Sequence, residues 1–139
     1  KETVKLSIDA LTTVSEKTSI KNAPAVQRGN KLMRSIGLGA MNLHGYLAKN
    51  KISYESEAAR DFANTFFMIV NYYSIERSME IAKETGIKYY GFEESTYATG
   101  EYFNQYVEED FSPKNEKVSK LFEGMHIPTI ADWKQLIIS

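Results

Sequence analysis

The stretch from Arg34 to Tyr54 reads RSIGLGAMNLHGYLAKNKISY, and its conformation decides the fold. Ser35 to Met41 is mostly apolar but holds Gly37 and Gly39. A glycine inside a helix costs about 1 kcal/mol relative to alanine, so the run reads as a short buried strand. Its glycines would permit close approach of packed backbone. Asn42 then suits the start of a helix that turns Leu43, Tyr46 and Leu47 inward. A lone strand cannot satisfy its own backbone groups, which puts its expected partners outside this chain.

Outward from that stretch the pattern is helical. Val4, Ile8, Leu11 and Val14 recur at helical spacing and predict an amphipathic helix from residue 2 to about 20. Asn22 before Pro24 predicts a short helix running to Met33. After a turn at Ser53 to Ser56, Ala59, Phe62, Ala63, Phe66, Val70 and Tyr73 form one stripe, which Ile75, Met79 and Ala82 extend. The predicted helix covers residues 57–85, about 43 Å at 1.5 Å per residue, and stops at Gly86. Apolar residues beyond the stripe (Phe67, Met68 and Ile69) call for neighbours on several sides, as in a larger body. Residues 87–112 read as loops with one short helix near 100–107. Pro113 is read as opening a helix that faces Val118, Leu121, Phe122 and Met125 to one side. Thr129 and Asp132 form a capping-box pattern ahead of Trp133, Leu136 and Ile137. The chain is thus expected to be mostly α with one short strand, as a single segment over 1–139 without internal boundary.

Composition narrows the function classes. The 139 residues are 42% hydrophobic, enough for a core, and carry a formal net charge of −1. That balance offers no footprint for nucleic acid or an anionic membrane. No apolar run approaches the ~18 residues of a membrane span, and no signal peptide is visible at Lys1-Glu2-Thr3-Val4. There is no cysteine, which excludes disulfides and thiolate metal sites and fits a cytoplasmic location.

Each possible chemical motif has a plainer reading. Gly37-Leu38-Gly39 resembles the start of a dinucleotide loop, but Asn42 stands where the third glycine belongs. His44 and His126 lie 82 residues apart and show no HxxxH or HExxH spacing. Asn42 is near His44 in sequence and Asp132 near His126, but structural or surface histidines are the default. Glu93-Glu94 and Glu108-Glu109-Asp110 are adjacent acids that read as a solvated edge rather than an acid–base pair. The tyrosines, including Tyr72-Tyr73 and Tyr89-Tyr90, read as core and rim packing. No nucleophile elbow or P-loop occurs. No catalytic, cofactor-binding or metal-ligating residue is therefore assigned.

The run from Ser35 to Lys51 resembles the catalytic-barrel segment of class Ib ribonucleotide reductase large (alpha) subunits, of the low-GC Gram-positive type. The likeness extends through Tyr54-Glu55-Ser56-Glu57, Asp61-Phe62-Ala63-Asn64 and the run Tyr73 to Glu84. It continues in Gly91-Phe92-Glu93, Tyr97-Ala98-Thr99-Gly100, Tyr102-Phe103, Leu121 to Met125 and Ile127-Pro128-Thr129. Dispersed matches in this order and spacing are more specific than any one motif.

The resemblance implies a piece of a ten-stranded α/β barrel, with Ser35 to Met41 as one barrel strand and residues 57–85 on its exterior. It implies an oxidoreductase that reduces ribonucleoside diphosphates to deoxyribonucleotides for DNA synthesis. It also implies a nucleotide effector, a small beta subunit with a dinuclear metal centre and tyrosyl radical, and a glutaredoxin-like reductant. In the family the radical and reducing cysteines, effector loops and phosphate loop lie outside the matching segment, so no catalytic residue transfers. The piece alone is expected to be inactive and to need the remaining segments of the alpha subunit.

The ending Ile137-Ile138-Ser139 departs from relatives, which suggests a truncated or interrupted gene, such as phage copies can have, or an expression boundary. The competing reading is a stand-alone, non-catalytic binding or regulatory module derived from a reductase gene, possibly phage-encoded. A remnant without a role is the third.

Overall fold

In the computed structural model, which describes residues 1–138, the described residues form helices and connecting loops, without a strand. The helices are α1 (Glu2–Lys17), α2 (Pro24–Met33), α3 (Leu43–Lys49), α4 (Glu57–Thr85), α5 (Thr96–Thr99), α6 (Asn104–Glu108), α7 (Glu116–Leu121) and α8 (Ile130–Ile137). Short 3-10 turns occupy Phe92–Glu94 and Glu101–Phe103.

The expected strand at Ser35 to Met41 is thus overturned. Residues 34–40 have no regular structure, and 35–41 are exposed. Extended backbone becomes a strand only when a neighbour takes up its N–H and C=O groups, and none does so among the described residues. The close-approach reading of its glycines fails as well, since a Cβ at Gly37 or Gly39 would meet nothing within 4 Å. The glycine that does admit a close neighbour is Gly45, where the Asn42 side chain occupies the space a Cβ would need. Asn42 itself adopts a left-handed φ of 63° and makes no side-chain cap bond.

The chain divides into two compact units. One comprises residues 1–38 and 73–102, the other residues 39–72 and 103–139. In the second unit, Leu47, Ile52, Ala59, Phe62, Val118 and Phe122 form a buried cluster, with Phe66, Leu121 and Ile127 packed against it. Phe62 stacks on Phe66 and Phe122 at centroid distances of 5.7 and 5.2 Å. Burying each such side chain contributes about 1.5–3 kcal/mol. Trp133, 1% exposed, lies flat on Tyr106 at 4.1 Å and meets Tyr72 edge-on at 4.9 Å.

Polar contacts fix this unit's loops. Buried Thr65 donates its hydroxyl to the Phe111 carbonyl at 2.7 Å. Asp61 accepts backbone N–H groups from Lys114 and Asn115 at 3.0 and 2.8 Å. Asn115 in turn caps α7, so this helix opens at Asn115 and not at Pro113 as expected. Thr129 and Asp132 form the expected reciprocal capping box on α8.

The first unit is held differently. Arg77 pairs with Asp9 (2.7 Å), Glu80 (3.1 Å) and Glu84 (2.8 Å), and Lys5 pairs with Glu76 (2.7 Å) and Glu80 (2.6 Å). These pairs join α1 to the last turns of α4. Burial disfavours the Lys5 ammonium, but bonds to Glu76 and Glu80 outweigh it and raise its pKa. Lys5 conversely holds the Glu80 carboxyl below its ordinary value. Among this unit's residues only Ile8 and Tyr73 are buried, against thirteen in the other unit.

Candidate functional site

The chemical motifs do not converge. Gly37 to Gly39 sit in the exposed irregular segment, with no helix opening behind them until Leu43. His44 is exposed and touches the Tyr54 ring edge-on at 5.6 Å. His126 Nε2 lies 3.6 Å from Asp132 Oδ2, its sequence neighbour. Asp132 is occupied by its capping role. The backbone N–H of Thr129, and then its hydroxyl, hold the carboxyl below its ordinary value.

The acidic clusters stay apart in function. Glu93 pairs with Lys88 at 2.7 Å and Glu109 with Lys114 at 3.7 Å. Asp110 accepts the Ser112 N–H at 2.9 Å, which lowers its pKa. Tyr72 and Tyr73 are buried, whereas Tyr90 is 75% exposed.

No group of three or more His, Cys, Asp or Glu side chains able to hold a metal ion occurs among the described residues. Their donor set does not fit a dinuclear centre. An open groove of about 580 Å³ beside α7, lined by residues including Lys114, Asn115, Ser119, Phe122 and Ile127, gathers no set of reactive groups. No described helix is long and apolar enough to cross a membrane.

What stands out is a surface on α2. Plotted at 100° per residue, Ala25, Val26, Leu32 and Met33 form one stripe of this helix, opposite Gln27 and Lys31 and flanked by Asn30 and Arg28. An amphipathic helix ordinarily buries such a stripe, but no α2 residue is buried. Val26, Leu32 and Met33 are 39%, 45% and 50% exposed. Asn30, at the edge of the stripe beside Val26, faces α1, its amide donating to the Ser15 carbonyl at 3.1 Å. The far end of α2 is anchored by the Tyr90 N–H, which donates to the Leu32 carbonyl at 2.8 Å. Ile36 and Leu38 continue the exposed apolar run past Met33.

Arg28, exposed, sits beside Leu32, and Lys31, also exposed, lies across the helix from the stripe, while Arg34 is taken up by Glu16 at 2.5 Å. These two residues belong to a longer basic tract. Between Lys17 and Tyr54 the chain has six Lys or Arg and no Asp or Glu. The near-zero net charge conceals this tract; a windowed charge count reveals it. The outward aim of the stripe has no comparable signal, because periodicity gives a helix its stripe but not its direction.

Residues 1–138 match the family model described as ribonucleotide reductase, barrel domain. The chain belongs to that family. As a ribonucleotide reductase barrel-domain chain it is 70% identical to the ribonucleoside-diphosphate reductase subunit alpha of Bacillus subtilis, over 97% of its own length and 19% of the relative's. The NrdEB subunit alpha of Bacillus phage SPbeta is 66% identical, over 96% of this chain and 12% of that protein. The subunit alpha of Mycoplasma pneumoniae is 46% identical, over 99% and 20%. The reductase-family chain thus spans about a fifth or less of the length of these relatives.

Proposed function

We infer that residues 1–139 serve as one structural segment, without internal boundary, of the alpha subunit of a class Ib ribonucleoside-diphosphate reductase. That enzyme is an oxidoreductase making deoxyribonucleoside diphosphates for DNA synthesis. The carrying observation is the match across residues 1–138 together with 70% identity to one such subunit. In this reading no residue of the segment performs the redox step, because thiol chemistry needs cysteine and the chain has none. The segment's contribution is packing: it completes the body that carries reactive groups elsewhere. Its partners are the remaining alpha-subunit segments, a radical-generating beta subunit with a dimetal-tyrosyl centre, and a glutaredoxin-like reductant. A nucleotide effector acts on the whole enzyme, in the cytoplasm.

The test is substitution of this chain for the matching segment of the Bacillus subtilis subunit alpha. The chimera, with its beta subunit and a reductant, is expected to reduce ribonucleoside diphosphates at a rate within about tenfold of the parent. The isolated chain is expected to be inactive in the same assay. A soluble, folded chimera without activity would contradict the reading. The exposed α2 stripe also favours a second reading, a stand-alone binding module. It predicts a stable monomeric chain that docks on an intact reductase or another protein.

A further inference from the structure

We draw no further inference here: the strongest candidate, the outward apolar stripe of α2 carrying Val26, Leu32 and Met33, is an unpartnered helix face, and nothing in the structure shows what covers it.

Discussion

At the residue scale, two glycines are read by what a Cβ would meet. At Gly45, inside α3, it would meet only the end of the exposed Asn42 side chain, which makes no cap bond and can swing away, so Gly45→Ala is expected to raise the melting temperature through helix propensity. Gly37→Ala meets nothing within 4 Å and is expected to leave it unchanged or slightly raised. Paired thermal melts check both, and a loss at Gly45 would contradict a freely displaced Asn42. Trp133 is nearly unexposed and touches Tyr72 and Tyr106, so Trp133→Ala is expected to cost about 3–5 kcal/mol in denaturant titrations. Trp133 was legible beforehand, because the Thr129–Asp132 box placed it on a helix with Leu136. The neighbour of Gly45 was not, because it is a side chain folded back from three residues away.

At the element scale, the caps and ion pairs set the response to acid. The folded carboxyls of Asp132 and Glu80 titrate below their ordinary values of 3.8 and 4.5. The stability they contribute is therefore present above about pH 4.5 and is lost as pH falls through the depressed values. Melting temperature is expected to be flat from pH 7 to 5 and to drop below pH 4.5, with a shallower drop in Asp132→Asn. A variant with the parent's full acid slope would contradict the role of the box. In α4, Phe66 packs against the buried cluster, and Phe66→Asp leaves an unpaired charge there. Loss of cooperative unfolding by circular dichroism is expected; a variant as helical and soluble as its parent would refute the assigned face. The extent of α4 was readable to the residue, since a long stripe ending at Gly86 admits little else. The strand at Ser35 to Met41 was not, because apolar composition with glycine signals burial beside something but does not say whether that neighbour lies within the chain. The start of α7 was misread because Asn115, whose side chain takes the N–H groups of Lys117 and Val118, is a stronger opening signal than Pro113.

At the scale of the whole molecule, one unit has a core and the other is held by α1–α4 ion pairs around a minimal one. Partly exposed ion pairs contribute little each, so the first unit is expected to open more readily. The family was legible because identity is spread along the chain; the outward aim of the α2 stripe was not, because periodicity gives a helix its stripe but not its direction. Hydrogen exchange measures both claims together, by comparing the isolated chain with the same residues inside the Bacillus subtilis chimera. The α2 amides (24–33) are expected to exchange at least tenfold more slowly in the chimera, while amides around Trp133 change much less. Equal exchange of α2 in both proteins would contradict the claim that this chain is a segment completed by the rest of a subunit.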